Sequence, residues 1–204
     1  MHVQNSYLLI MGRPREFDRD QTLQAAIKVF REKGFGGTSV DDLRLPMGIG
    51  RQSFYDTFKG KKDVYLEGLR KYNNDRVLGY VEFARKAASP LEAIEAMLVS
   101  IARDSHDERS LACLGVSSIC EFGTDDAEVA AINEGSGYLI QSLLERLVQE
   151  GQKAKMIRAS LDPKVTAHYL QSMLAGMKVS ARAGTSESRL CAIAALAVDG
   201  LRRS

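Results

Sequence analysis

The chain has 204 residues, of which 45% are hydrophobic and 26% are charged, and its net charge at neutral pH is +2. These proportions are typical of a globular protein with one large domain or two smaller ones. No stretch approaches the roughly 18 consecutive apolar residues that a membrane span needs, so we expect no membrane partner. Residues 1–72 carry 13 Lys or Arg and 9 Asp or Glu, whereas the remainder carries 15 and 17. A basic N-terminal third indicates a nucleic-acid-binding module joined to a second domain.

The few cysteines and histidines favour neither a disulfide framework nor a metal centre. Cys113, Cys120 and Cys191 lack CxxC spacing, and the three histidines lie in separate segments. We therefore expect no cofactor and no metal. Three thiols without a secretory signal predict a cytoplasmic location. Met11 is an alternative candidate for the translation start, because the organised sequence begins directly after it.

Helical periodicity runs through nearly the whole chain, which has only four prolines and no sustained alternation of the kind that strands show. Asp18 is a predicted N-cap and Gly34 a predicted C-terminal stop for the first helix. Thr38, with Asp three residues later, is predicted to cap the second. We expect an all-α fold of about nine helices, to within one, with loops at 103–110 and 184–188. In chain order the predicted helices are 19–33, a short helix after 38, 51–58, 61 to the mid-80s, a helix after Ser89, a segment within 110–122, 126–152, 163–183 and 186–202.

The first three helices favour a helix-turn-helix. Gly48 lies in the turn between the second and third helices and suits a positive φ. Arg51, Gln52 and Ser53 then begin the third helix and can reach base edges in a major groove. Hydrogen-bonding side chains further along are suited to the phosphate backbone, and they are Tyr55, Lys61 and Lys62.

Residues 12–66 resemble the DNA-binding domain of the tetracycline-repressor-like (TetR) family. The resemblance implies a two-domain, all-helical regulator in which Arg51, Gln52 and Ser53 face bases. It also implies that Thr38, Tyr55 and Lys61 contact phosphates, and that Arg13 and Arg15 form a basic arm near the minor groove. The residues that carry it are Gly12-Arg13-Pro14-Arg15, Ala26, Val29-Phe30, Lys33-Gly34-Phe35, Thr38-Ser39-Val40-Asp41-Asp42-Leu43, Met47-Gly48-Ile49, Ser53-Phe54-Tyr55-Asp56-Thr57-Phe58 and Lys61.

One position departs from the family pattern. Pro46 follows Leu45 at the end of the second helix, where the family usually continues with helix-forming residues. Proline removes a backbone hydrogen bond, so we expect the second helix to end early and the angle of the third helix to shift.

The chain divides into a flexible extension at 1–11, a DNA-binding domain at 12–64 and an effector-binding and dimerisation domain at 65–204. The last two predicted helices carry apolar stripes wider than one helix pair needs, and the family pairs such helices between two subunits. We therefore expect a homodimer through these helices, although the stripes also fit the core of a single subunit. The stripe residues are Ala167, Leu170, Met173, Leu174, Met177, Leu190, Ile193, Ala194, Leu196, Ala197 and Leu201.

The middle of the chain is the predicted sensor for an unidentified small-molecule effector. Cys113 and Cys120 are seven residues apart, which motivates a second hypothesis of a thiol sensor for oxidants or electrophiles. For each of these residues an ordinary helical core is the alternative interpretation. The candidate pocket residues are Met97, Cys113, Cys120, Phe122, Tyr138, Met173 and Met177.

These patterns predict a transcriptional repressor that leaves double-stranded operator DNA when an effector binds. A regulator that activates transcription, or that bends DNA without an effector, is a second possibility. An all-helical carrier or enzyme without DNA binding is a third. No catalytic motif, paired-carboxylate motif or phosphate-binding loop is visible, so we expect no enzyme.

Overall fold

The structure, a computed structural model, describes residues 18–203 as α-helices joined by short turns. Ten helices lie in this range, so the predicted all-α fold is confirmed and the predicted count is correct to within one. The additional helix, α6, lies in a predicted loop, where the Ser105 hydroxyl accepts the Glu108 N–H and caps it. The helices are α1 (Arg19–Lys33), α2 (Val40–Arg44), α3 (Arg51–Thr57), α4 (Lys61–Lys86), α5 (Pro90–Arg103), α6 (His106–Ser110), α7 (Leu114–Phe122), α8 (Ala127–Lys153), α9 (Pro163–Arg182) and α10 (Glu187–Asp199).

The caps of the first two helices follow from local chemistry. Asp18 accepts the N–H groups of Asp20 and Gln21, and Gly34 ends α1 with a φ of 72°, both as predicted. The cap of α2 is one residue later than predicted. Ser39, not Thr38, accepts the Asp42 N–H, and the Asp42 carboxylate accepts the Ser39 N–H in return. This reciprocal pair satisfies two N–H groups at once, which favours it over a cap at Thr38.

Pro46 ends α2 early, as expected. The helix stops at Arg44 after only five residues, and a turn over 45–50 leads into α3. Gly48 in this turn has a φ of 67°, which confirms the predicted left-handed conformation. The Met47 N–H still donates to the Leu43 carbonyl at 3.1 Å, so the turn is held by backbone bonds although the helix has ended.

The core around the first four helices is aromatic. Phe30 of α1 meets Tyr65 of α4 edge to face, with ring centroids 4.9 Å apart. Phe35 lies 5.0 Å from Tyr65 and 5.1 Å from Phe122 of α7. Such pairs contribute about 0.5–1.5 kcal/mol each beyond the burial of area. A helix from the C-terminal two-thirds therefore completes the N-terminal core.

The second core is aliphatic and is formed by the later helices. α5 lies at its centre and contacts α4, α8, α9 and α10. Its buried face contains Leu91, Ala93, Ile94, Met97, Leu98, Ile101 and Ala102. Within residues 18–203, no helix combines the length and apolarity that crossing a bilayer requires.

Candidate nucleic-acid interface and internal cavity

The N-terminal turn of α3 presents polar side chains to solvent. Arg51, Gln52 and Ser53 are all exposed, whereas Phe54 and Phe58 on the opposite face are buried in the aromatic core. The buried rings fix the rotation of α3 about its axis. The three polar residues that the sequence predicts to face bases therefore share one open surface.

Two exposed residues of α3 have contacts within the helix. The Gln52 side-chain amide donates to the Asp56 carboxylate at 2.8 Å, so base recognition by Gln52 would exchange this bond for one to DNA. The Tyr55 ring lies edge to face against Phe54 at 5.3 Å while 47% of the residue is exposed. This arrangement supports the ring from below and leaves its polar end accessible.

Thr38 and Lys61, both predicted to contact phosphate, have partners inside the protein. The Thr38 hydroxyl is buried and donates to the Gly34 carbonyl at 2.5 Å. The Lys61 ammonium donates to the carbonyls of Phe35 and Thr38, each at 2.8 Å, and lies 4.1 Å from the centroid of the Phe35 ring. In this conformation both side chains stabilise the turn between α1 and α2, because they donate to carbonyl groups of that turn.

Lys62 joins the N-terminal helices to α8. Its ammonium pairs with the Asp126 carboxylate at the N-cap of α8 and lies 4.8 Å from the centroid of the Phe122 ring. The hydrogen bond from Lys62 lowers the pKa of Asp126. Lys62 therefore has a structural partner in addition to its predicted phosphate. Arg13 and Arg15, the predicted basic arm, lie outside the described residues.

Two further contacts tie the helix-turn-helix to the C-terminal helices. The Arg31 guanidinium of α1 donates to the Ala112 carbonyl and to the Glu108 carboxylate, both at 2.8 Å. The Glu121 carboxylate of α7 accepts the N–H of Phe35 at 2.9 Å and of Gly36 at 3.2 Å. With Lys62, these bonds make α7 and its neighbours the joint between the two parts.

A cavity of about 150 Å³ lies among α4, α7, α8 and α9. A cavity of this volume holds a molecule of roughly the size of benzene. Its wall is polar on α4, apolar on α7, and mixed on α8 and α9, where Asn133, Ser136, Gln171 and Lys178 alternate with apolar residues. The lining residues are Asn73, Arg76, Tyr80, Cys113, Gly115, Val116, Ile119, Asn133, Ser136, Gly137, Ile140, Gln171, Leu174, Ala175 and Lys178.

Of the seven predicted pocket residues, only Cys113 lines this cavity. Met97 and Met177 are buried in the aliphatic core, and Met173 packs against it. Phe122 packs against the N-terminal core instead. The periodicity of an amphipathic helix predicts which face is buried, but it does not distinguish a filled core from a cavity wall. None of these four residues lines this cavity, and their role in effector binding stays a prediction.

The remaining two predicted pocket residues point away from the cavity. Tyr138 is 72% exposed and lines a separate open groove along α8. Cys120 is exposed beside Glu121, whereas Cys113 is half-buried at the N-cap of α7. Both thiols also line a second pocket between α7 and α9, so the thiol-sensor hypothesis stays a prediction.

The environment of Cys113 favours the thiolate. Burial is the largest single effect and opposes ionisation, but the Arg76 charge, hydrogen bonds from the Val116 N–H and the Tyr72 hydroxyl, and the Lys178 charge together lower the pKa of the Cys113 thiol. Burial lowers the pKa of Lys178, and the nearby Arg76 charge acts in the same direction. The cavity thus concentrates positive charge against one ionisable sulfur.

Comparison with known proteins identifies the family of this chain. The model of the bacterial regulatory proteins of the tetR family matches residues 23–67. The uncharacterised HTH-type transcriptional regulator YezE of Bacillus subtilis (strain 168) is 32% identical over 184 residues, which cover 88% of this chain and 94% of YezE. The chain belongs to the TetR family.

Two further relatives extend the comparison of this TetR-family protein. The HTH-type transcriptional repressor ComR of Escherichia coli (strain K12) is 25% identical over 192 residues, which cover 90% of this chain and 88% of ComR. A solved structure of the TetR family regulator CifR, a cysteine mutant complexed with a 26-bp double-strand operator DNA, has a TM-score of 0.79 at 26% identity. It covers 92% of this chain and 98% of CifR.

Family membership decides among the predicted functions. The protein is a DNA-binding transcriptional regulator, in a family of non-enzymatic transcription factors, which confirms the DNA-binding part of the leading prediction. Release by an effector stays a prediction. The alternative of an all-helical carrier or enzyme without DNA binding is set aside by the same finding. The matched range runs from α1 into α4 and includes the whole helix-turn-helix.

The last two helices keep an apolar surface after the core is formed. Much of the predicted stripe, including Ala167, Leu170 and Leu174, is buried within the subunit's own core. A different face of α9 and α10 remains exposed. Its large apolar residues are Val165, Tyr169, Val179 and Leu196, the last being 75% exposed.

Sequence reasoning missed most of the polar residues around the cavity. Tyr72, Arg76 and Tyr80 recur every four residues and share one face of α4. A charged residue between two aromatic residues on a helix face is a signal for a buried cation. Lys178 on α9 interrupts an apolar stripe in the same way. No sequence pattern indicates that these two helices meet.

Proposed function

We propose that this TetR-family protein is a repressor that binds a near-palindromic operator as a homodimer and leaves it when a small-molecule effector occupies the C-terminal cavity. The observation that carries the proposal is the exposed polar turn of α3, held on a buried aromatic core. Its relatives support this role, since ComR is named a repressor and CifR is seen with operator DNA. In functional terms, 1–11 is an extension, 12–64 binds DNA, and 65–204 binds the effector and the second subunit.

The proposed base contacts are Arg51, Gln52 and Ser53. Arginine pairs with guanine and glutamine with adenine through two hydrogen bonds each, and such pairs discriminate by about 1–3 kcal/mol. Tyr55 is proposed to reach a phosphate from the same helix, with Arg13 and Arg15 as a basic arm.

Three other predicted contacts are revised by their neighbours. Thr38 and Lys61 are proposed to hold the α1–α2 turn in shape for DNA rather than to bind phosphate, because their polar atoms already have internal partners. Lys62 is proposed to bind phosphate only when its pair with Asp126 opens.

The proposed dimer interface is the exposed apolar face of α9 and α10. Val165, Tyr169 and Val179 recur at helical spacing on α9, and the exposed Ser172 and Gly176 between them allow close helix approach. Exposed Leu196 continues this face on α10. A two-fold dimer of this kind matches a two-fold operator.

The proposed release mechanism uses the joint around α7. One side of α7 lines the cavity through Val116 and Ile119, while Phe122 packs against the N-terminal core. α4 likewise runs from the cavity to the helix-turn-helix. A ligand that binds more tightly when α4 and α7 have shifted would favour the shifted state and release DNA.

DNA binding is tested with the fragment upstream of the protein's own gene, compared with an unrelated fragment across a salt series. We expect preference for the upstream fragment, a steep salt dependence, and at least about a tenfold loss in Arg51→Ala. The control is Arg85→Ala, because Arg85 is exposed on α4 and far along the chain from α3. Equal losses in both variants, or no preference between fragments, would count against the proposed DNA contacts.

Dimerisation is tested by sedimentation of Leu196→Glu against Leu78→Glu. Both leucines are more than half exposed, but Leu78 is on α4 and outside the proposed interface. We expect Leu196→Glu to sediment as a monomer and to lose operator binding, because a buried unpaired carboxylate is costly. A dimer that survives Leu196→Glu unchanged would move the interface elsewhere.

A further inference from the structure

The cations around the cavity are not equally neutralised. Lys178, the other cation that lines the cavity, pairs with the Asp104 carboxylate at 2.8 Å. Two cations of a neighbouring pocket are also paired, in Arg31–Glu108 at 2.8 Å and Arg109–Glu187 at 3.7 Å. Arg76 has no carboxylate partner among residues 18–203, although it lines the cavity wall. The Arg76 guanidinium is therefore a positive charge beside the cavity that no carboxylate of residues 18–203 neutralises.

The groups that do contact Arg76 are neutral. Its guanidinium donates to the Tyr80 hydroxyl and lies 5.3 Å from the Tyr80 ring centroid and 5.8 Å from that of Tyr72. Burial raises the pKa of both tyrosine hydroxyls, so neither supplies a negative charge. The Cys113 thiol is the other ionisable group nearby; Arg76 helps to lower its pKa, but a thiol starts as a much weaker acid than a carboxyl group and so neutralises Arg76 less completely than a carboxylate would. A cation removed from water without a full counter-charge is costly, and an anion entering the cavity would offset that cost.

The rest of the cavity restricts which anion fits. Val116, Ile140 and Leu174 give it apolar walls, and its volume matches a molecule of about the size of benzene. A single unpaired cation matches a single negative charge. A carboxylate also accepts two parallel hydrogen bonds from a guanidinium, which a halide ion does not.

We propose that the effector of this protein is a small organic monocarboxylate, whose carboxylate pairs with Arg76 and whose apolar body lies against Val116, Ile140 and Leu174. This inference rests on the proposed function, because it names the chemical class of the effector in the same cavity. It assigns Arg76 as the residue that determines specificity for a charged over a neutral ligand.

The test uses three acid–amide pairs of matched shape: acetate with acetamide, butyrate with butyramide, and benzoate with benzamide. Dissociation constants for the full-length protein are measured by equilibrium dialysis without DNA, with thermal shift as a second readout. We expect at least one acid to bind about tenfold or more tightly than its amide. Hydrogen bonds to charged groups are stronger than neutral ones, and the difference corresponds to about a tenfold change in the dissociation constant. If no acid binds more tightly than its amide, the proposal is wrong.

Variants of Arg76 then locate the preference. Arg76→Gln is expected to reduce the acid-to-amide ratio to about one, whereas Arg76→Lys keeps the charge and most of the ratio. Arg85→Gln on the same helix is the matched control, and Cys113→Ser shows whether the thiol takes part. A ratio that survives in Arg76→Gln, or that disappears in Cys113→Ser alone, would overturn the assignment. If Arg76→Gln does not fold, Arg76→Lys and the wild-type ratios still decide.

Operator binding without any acid is measured separately on the same samples. Its failure would contradict the proposed function and leave the ligand measurement intact. Conversely, specific operator binding together with equal affinity for acids and amides would reject the monocarboxylate and retain the repressor.

Discussion

The N-terminal helices and the C-terminal helices of this protein differ in how their interiors are filled. The helix-turn-helix packs on aromatic rings in edge-to-face contact, such as Phe30 against Tyr65, and its polar residues are exposed to solvent. The C-terminal helices form a partly open cavity beside Arg76 and place polar residues on its wall. A tightly packed core resists deformation, whereas a cavity with an unpaired charge has free energy to gain from a ligand. The contrast supports the proposed release mechanism, in which the first part moves as a unit and the second part changes shape.

The largest expected effect comes from opening the aromatic core. Phe54→Ala removes a fully buried ring that fixes α3, and we expect a loss of about 3–5 kcal/mol in the free energy of unfolding. Urea denaturation followed by circular dichroism measures it. Leu45→Ala is the control, because Leu45 is exposed in the turn that precedes α3 and its truncation should change the free energy of unfolding little. If the two variants unfolded at the same urea concentration, the N-terminal core would not be the rigid unit inferred above.

A smaller effect is expected at the joint between the halves. Glu121→Gln weakens the bonds from the carboxylate to the N–H groups of Phe35 and Gly36, and because Glu121 is exposed we expect a cost of about 0.5–1 kcal/mol. Hydrogen exchange at these two amides should become faster, with little change in the aliphatic core.

Glu128→Gln provides the control for this change, since Glu128 is exposed on α8 and its carboxylate is not bonded to this turn. Unchanged exchange at Phe35 and Gly36 in Glu121→Gln would mean that α7 does not hold the α1–α2 turn.

The smallest effect concerns the reactivity of Cys113. A variant with Cys120 and Cys191 changed to Ser leaves one thiol, and its alkylation by iodoacetamide is followed as a function of pH. Because the pKa of Cys113 is lowered by Arg76, the rate should rise at a lower pH than for an unstructured cysteine peptide. Arg76→Gln should move the profile back towards higher pH.

The same variant tests the thiol-sensor hypothesis. If alkylation of Cys113 leaves operator affinity unchanged, sulfur chemistry has no part in release. If the alkylation rate rose at the same pH as in the free peptide, or at a higher one, the Arg76 charge would not lower the pKa of the Cys113 thiol.

Local sequence carried most of what could be predicted about the helix-turn-helix. The caps at Asp18 and Gly34, the left-handed Gly48 and the early end of α2 before Pro46 all depend on neighbours a few residues away. The exposure of Arg51, Gln52 and Ser53 follows from the buried phenylalanines on the same short helix. Such features are encoded within one or two turns of chain.

The cavity could not be predicted in this way, because it depends on distances between helices. Met97 and Met177 have the periodicity of a pocket wall and are core residues, whereas Arg76 and Lys178 are about a hundred residues apart in sequence and share one wall. The prediction that Thr38 caps α2 was wrong for a different reason. Ser39 is an equally good cap, and only the reciprocal bond with Asp42 decides between them.

The length of α4 has a mechanical consequence. Arg76 on the cavity wall and Lys61 at the start of the helix are separated by about 22 Å of continuous helix, so a tilt of roughly 5° at the cavity moves the far end by about 2 Å. In the proposed dimer the two ends move in opposite directions, and the spacing between recognition helices changes by up to about 4 Å. Successive major grooves repeat every 34–36 Å or so, and a mismatch of that size costs base contacts on both half-sites at once. In the proposed release mechanism, one rigid helix thereby converts a tilt of a few degrees at the cavity into the loss of the fit between the dimer and its operator.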